Sequence, residues 1–228
     1  MKQQHSSIIV AAIIIALLIA DQALKIWVKT HMYIGQEIEI FSWFKLLFIE
    51  NNGAAFGKEI EEIFLWFKHL FIENNGADFG MQIPSNGFDW SKLLLSILRV
   101  LMVAGLCYYT YTLVRKKAPM GVLVGLALII AGALGNILDS AFYGIMFSAS
   151  PDKTQVVAEF GGSYAPFMMG KVVDMFYLPL FQWKNHPQWL SFLFDSRGYF
   201  FGPVFNLADA YISVAVVYLL AFQYKTFK

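Results

Sequence analysis

The sequence predicts an α-helical integral membrane protein: a bundle of four transmembrane helices carrying a small extracytoplasmic β subdomain. Three observations carry that prediction. Hydrophobic residues make up 58% of the 228-residue chain and charged residues 14%, a balance outside the range of ordinary soluble domains. Four stretches, about Ser7 to Val28, Leu93 to Val114, Met120 to Leu138 and Val204 to Tyr224, approach the roughly 20 apolar residues that a spanning helix needs. Between the first and second, Gln36 to Phe41 alternates polar and apolar residues and Lys45 to Ile49 is an apolar run, the patterns of short strands.

The first apolar stretch begins like a secretory signal peptide, with Lys2 ahead of Ile8 to Ala20. The pattern runs on through Leu24, Ile26, Trp27 and Val28 with no small-residue cleavage site in a polar flank, which predicts a retained first helix. Lys2, Arg115-Lys116-Lys117, Lys225 and Lys228 all fall on one side of a four-span arrangement. The positive-inside rule makes that side the cytoplasm. Both termini are then inside and both long connections outside, and residues 1–228 form one membrane-embedded domain.

The first outer connection, about 29–91, predicts a small antiparallel sheet closed by a turn at Asn51-Asn52-Gly53, because Asn-Gly favours tight turns. It also contains a tandem copy. Glu39 to Gly57 recurs at Glu62 to Gly80, differing only at Ser42/Leu65, Leu46/His69 and Ala55/Asp78. Such closeness reads as a recent or deliberate duplication, since solenoids carry several diverged repeats and capping units. The second copy is expected to add a strand-and-turn unit. The second outer connection, 140–202, holds Gly161-Gly162, Pro151, Pro166 and Pro179 and is long enough to be functional; a lid is one role for it. The tryptophans 27, 43, 66, 90, 183 and 189 all fall on or near the outer side, as an interfacial aromatic belt would.

Composition excludes several classes of function. A formal net charge of +1 leaves no electrostatic footprint for nucleic acid. The single cysteine, Cys107, lies in an apolar run, so it predicts a small buried hydrophobe and no intramolecular disulfide. His5, His31, His69 and His186 show no ligand spacing, so neither a metal site nor a cofactor is expected.

Acidic and amide residues gather instead at the predicted outer ends of the helices. Asp21 is followed one turn later by Lys25; Asn136 and Asp139 lie three apart, as do Asn206 and Asp209. Each spacing puts its pair on one helix face, and ionisable groups at membrane depth are costly enough to mark function. Asp174 lies in the apolar piece Lys171-Val172-Val173-Asp174-Met175-Phe176 of the second loop. If Asp174 meets Asp209, the pair holds one proton between them. One carboxylate then draws a proton from water while the other protonates a carbonyl oxygen, which is aspartic-protease chemistry. Taken singly the residues have plainer readings: an interfacial ion pair for Asp21 and Lys25, structural support from Asn136 and Asp139, and a helix cap for Asp209.

Five motifs in order resemble the lipoprotein signal peptidase (signal peptidase II) family. They are Asp21-Gln22 with Lys25; Asn51-Asn52-Gly53-Ala54-Ala55-Phe56-Gly57; Gly135-Asn136-Ile137-Leu138-Asp139; Val172-Val173-Asp174-Met175-Phe176; and Phe205-Asn206-Leu207-Ala208-Asp209. The resemblance covers nearly the whole chain. It implies Asp174 and Asp209 as the catalytic pair, with Asp21, Lys25, Asn51, Gly53, Asn136, Asp139, Asn206 and Ala208 as supporting or substrate-lining positions. It further implies a bacterial inner-membrane hydrolase, monomeric, whose active site faces the outer leaflet. The implied substrate is a prolipoprotein cleaved before a diacylglyceryl-modified cysteine, with membrane lipid as its other partner.

The chain departs from the family pattern at Ser140, where many members have arginine, and in its longer second loop. The duplication offers two copies of one motif, and Asn51 with Gly53 is preferred over Asn74 with Gly76 because the second copy carries Asp78 in place of a small apolar residue. Competing readings are a small proton-coupled transporter, since acidic residues in membrane helices also mark ion pathways, and an inactive scaffold whose first outer loop the duplication has displaced.

Overall fold

The structure is a computed structural model that describes residues 2–51, 90–151, 154–185, 187 and 197–224. Gly53 and the second copy of the repeat lie outside the described residues. Helix α1, Lys2–His31, starts before and ends after the predicted apolar stretch. Strands β1, Glu37–Phe41, and β2, Phe44–Asn51, follow as an antiparallel pair with Glu37 opposite Leu47. Helix α2, Trp90–Arg115, ends where Lys117 takes a left-handed conformation and Pro119 precedes α3, Met120–Leu138. Neither residue suits a helix interior.

Helix α3 does not stop at Leu138. It widens into a five-residue π-helix, Asp139–Tyr143, then closes with one α turn, Gly144–Met146. Wider turns of this kind occur often at functional sites. The last helix, α4, runs Leu207–Tyr218 and continues as a second π-helix, Leu219–Gln223. It begins at Leu207, later than the apolar run at Val204 suggests, because Asn206 is extended and serves as the N-cap.

The second long connection supplies a strand where the sequence predicts a loop. Strand β3, Val172–Tyr177, pairs antiparallel with β2, placing Asp174 opposite Ile49 and Val172 opposite Asn51, so the sheet order is β1-β2-β3. Among the described residues of 147–170, none lines the cavity described below. Phe147 and Ala158 instead enter the core beneath the sheet with Val28, Met32, Phe48, Tyr143, Val173 and Met175.

Helix α3 is central, packed against α1, α2 and α4. Its approach to α4 depends on Gly132, where a Cβ would collide with the Ala208 carbonyl oxygen. Among the described residues, three helices, His5–His31, Ser96–Arg115 and Met120–Met146, are long and apolar enough to cross a membrane, and Leu207–Gln223 is apolar but shorter. Outward faces carry exposed Ile8, Ile15, Leu98, Leu101, Val214 and Leu220, as lipid-facing surfaces do. Cys107 corrects the expectation of a buried side chain: it is exposed on α2 between Leu106 and Tyr108. Lipid tails are as apolar as a protein core, so nothing drives an apolar cysteine inward there.

Candidate active site

The start of α4 is built by local sequence. In Asn206-Leu207-Ala208-Asp209, the Asn206 side chain accepts from the Asp209 backbone N–H at 3.0 Å, and Asp209 Oδ2 accepts from the Asn206 backbone N–H at 3.3 Å. This reciprocal capping box satisfies two otherwise orphaned donors. Asn206 is therefore the cap itself, and Asp209 occupies the third helical position, aimed by the same turn.

Asp174 arrives from the sheet. A backbone bridge joins β3 to the approach of α4: the Phe176 N–H donates to Phe205 O at 2.7 Å, and the Phe205 N–H donates back to Phe176 O at 3.1 Å. That clamp brings the buried Asp174 carboxylate against Asn206, whose Nδ2 donates to its Oδ1 at 2.6 Å; Asn51 Nδ2 donates to its Oδ2 at 3.4 Å. On the other side, Asn136 Nδ2 donates to Asp209 Oδ1 at 2.9 Å, and Asn136 Oδ1 accepts from Asn206 Nδ2 at 3.2 Å. Two asparagines thus link the two aspartates in one hydrogen-bonded chain.

Behind this chain lies a buried ion cluster. Lys25 Nζ sits 3.1 Å from Asp21, 2.8 Å from Asp139 and 2.8 Å from Asn136 Oδ1. Asp21 Oδ1 accepts from the Ala208 N–H at 3.0 Å, and Asp139 accepts from Gln22 Nε2 at 2.8 Å and from the Val173 N–H at 3.4 Å. Tyr143 donates to Gln22 Oε1 at 3.1 Å. The cluster ties α1, α3, the π-helix, β3 and α4 together at one level. Buried charges of this kind are tolerated only when paired and hydrogen-bonded. Asp21 and Lys25 form no interfacial surface pair, because both are essentially inaccessible. Ser140, at the departure from the family pattern, donates to the Asn136 carbonyl at 3.1 Å.

A cavity of about 370 Å³ opens in front of the aspartates. Asn51, Asn136, Val172, Asp174 and Asp209 line one part of it; Arg99, Met102, Val103 and Leu106 of α2, Ile129 and Ala133 of α3, and Ile212 of α4 line the rest. The predicted site residues therefore divide in two. Asp174, Asp209, Asn51 and Asn136 reach the cavity, with Asn206 directly behind, whereas Asp21, Lys25, Asp139 and Ala208 lie in the supporting layer. Arg99 escaped the sequence reading. Its signal was a lone cation in the apolar stretch Leu93 to Val114, as costly there as an acid.

Burial, followed by the charge of Asp209, pushes the Asp174 carboxyl up to about 7, opposed by the donors Asn206 and Asn51. A carboxyl of this kind holds its proton near neutral pH and can deliver it. The arrangement suits general acid–base attack by water on a carbonyl held in the cavity.

The family model described as signal peptidase (SPase) II matches residues 13–68 and 58–225 of the chain. A lipoprotein signal peptidase of Porphyromonas gingivalis is 39% identical over 96% of this chain and 84% of its own length. That of Amoebophilus asiaticus is 30% identical over 89% of this chain and 72% of its own length. Among solved structures, a bacterial membrane enzyme determined by the in meso method superposes with a TM-score of 0.53 at 21% identity, covering 95% of this chain and 88% of that one. A second such structure gives a TM-score of 0.51 at 20% identity, covering 92% and 89%. These two establish likeness of fold alone.

Proposed function

The chain belongs to the signal peptidase II family, and we propose that it removes the signal peptide from prolipoproteins as an aspartic endopeptidase, with Asp174 and Asp209 as its catalytic pair. The observation that carries this reading is that both carboxylates line one cavity and are joined through Asn136 and Asn206. Asp209 takes a proton from water, and the water oxygen attacks the scissile carbonyl while Asp174 gives its proton to the carbonyl oxygen. The tetrahedral intermediate then collapses as the proton held by Asp209 passes to the leaving amine and Asp174 takes one hydroxyl proton back from the intermediate. Arg99, Asn51 and the apolar wall of α2 orient the substrate.

The substrate in this reading is a prolipoprotein bearing a diacylglyceryl-cysteine, cut on the N-terminal side of that cysteine, with its tails left in lipid beside the open apolar part of the cavity. The enzyme works as a monomer in the bacterial inner membrane, with four crossings, both termini cytoplasmic and the site at the outer leaflet. Asn51 of the first repeat copy contributes to the site, a reading supported by its bond to Asp174.

The test is cleavage of a diacylglyceryl-modified prolipoprotein by the purified protein and by the variants Asp174→Asn and Asp209→Asn. Each variant is expected to lose at least about 10³-fold in kcat/KM, the scale of general acid–base catalysis. Undiminished cleavage by either one would remove it from the pair.

A further inference from the structure

The cavity changes character along its length. One end is polar, with Asn51, Asn136, Asp174 and Asp209; from there Met102, Val103 and Leu106 of α2, facing Ile129 and Ile212, make an apolar wall. Arg99, Met102, Val103 and Leu106 are spaced three, four and seven apart and so share one helix face. At 1.5 Å per residue the apolar part of that face extends about 10 Å from Arg99. Arg99 therefore marks the boundary, half-buried, on the cavity wall and in the field of Asp209. Among the described residues its guanidinium has neither hydrogen bond nor ion pair. A cation placed in a membrane helix with no hydrogen-bonded partner is costly, and its five donors are available to whatever fills the cavity.

We propose that Arg99 is a specificity-determining residue that donates to the ester carbonyl oxygens of the substrate's diacylglyceryl group, so that the enzyme reads the acyl ester and not merely the hydrophobic tails. The inference rests on the proposed substrate. In such a molecule the scissile peptide bond lies at the aspartates and the tails lie against the apolar wall. The two esters are the polar groups between them. They reach the cavity at the level where the wall turns apolar and where Arg99 is the cationic lining residue. A carbonyl at that level would otherwise give up its hydrogen bonds to water without replacement, and a planar guanidinium can serve two acceptors at once.

The experiment compares two prolipoprotein peptides identical except that one carries a diacylglyceryl group and the other a dialkylglyceryl ether, which has no carbonyl. Wild type, Arg99→Lys and Arg99→Met are assayed in lipid nanodiscs, with thermal unfolding as the folding control. Wild type is expected to show a KM about tenfold higher for the ether, with kcat within about twofold, the scale of a hydrogen bond to a charged donor. Arg99→Met should raise KM for the diacyl peptide by the same factor and treat both peptides alike, and Arg99→Lys should recover part of the preference. The proposal is overturned if wild type fails to distinguish the two peptides, or if Arg99→Met still does. It is also overturned if Arg99→Met lowers kcat and displaces the pH profile at unchanged KM, which would make Arg99 a partner of Asp209 instead. Wild type that cleaves neither peptide would refute the proposed function itself, a result distinct from loss of ester preference.

Discussion

At the scale of single residues, the site is an economy of hydrogen bonds in which each acid has a different set of partners. Asp174 is raised to about 7, chiefly by burial, whereas a carboxylate in an unfolded chain titrates near 4. The folded state therefore holds this proton more tightly than the unfolded one. Its contribution to stability is complete below about pH 4 and is lost as pH rises through about 7. Asp174→Asn should flatten that dependence in unfolding measured across the range. The same group sets the alkaline side of activity: kcat/KM is expected to fall above about pH 7 as the acid loses its proton. Asn51→Ala removes a donor that favours the charged form, so the fall should move to higher pH in a pH–rate profile. Among the described residues, Lys25 is the cation that pairs with both Asp21 and Asp139. Lys25→Met leaves both carboxylates uncompensated and should cost about 3–5 kcal/mol, read as a large drop in thermal stability.

At the scale of elements, Gly132 controls how closely α4 lies on α3, and hence how Asn136 meets Asp209. Gly132→Ala drives a methyl group into the Ala208 carbonyl and is expected to destabilise the protein by about 1–3 kcal/mol, with a fall in cleavage rate at least as large as the fall in folded fraction. Both described strands of the first outer connection, β1 and β2, lie in the first repeat copy or just ahead of it. Deleting Lys58 to Gly80 should then retain cleavage; a stably inserted deletion protein without activity would assign the site to the second copy. The long apolar runs made α1, α2 and α3 legible from sequence, because length and composition alone decide a membrane helix. Strand β3 was not legible, since Val172 to Tyr177 is a short piece broken by Asp174 whose state depends on the distant edge of β2. The π-helix after Leu138 has no local signature either. The acids and amides were found because their cost at membrane depth is visible in sequence. Arg99 was overlooked because only packing puts its face of α2 opposite Asp209.

At the scale of the whole molecule, apolar outer faces and a polar layer at one end describe a protein oriented by its bilayer. Single-cysteine variants in a Cys107→Ala background test the proposed orientation. With an impermeant thiol reagent on intact spheroplasts, Ser42→Cys should label and Lys117→Cys should not, until the cells are opened. The backbone clamp between Phe176 and Phe205 has a consequence for how the chain can vary. The segment that leaves β3 returns through further rungs: Leu180 donates to Phe200 O at 3.3 Å, Phe200 to Phe181 O at 2.8 Å and Trp183 to Gly198 O at 2.8 Å. The distance between the segments that carry Asp174 and Asp209 is therefore held by main-chain ladders among the described residues. A protease cut between Lys184 and Arg197 would leave two fragments still zipped together, and the two acids would keep their spacing although no continuous chain joined them.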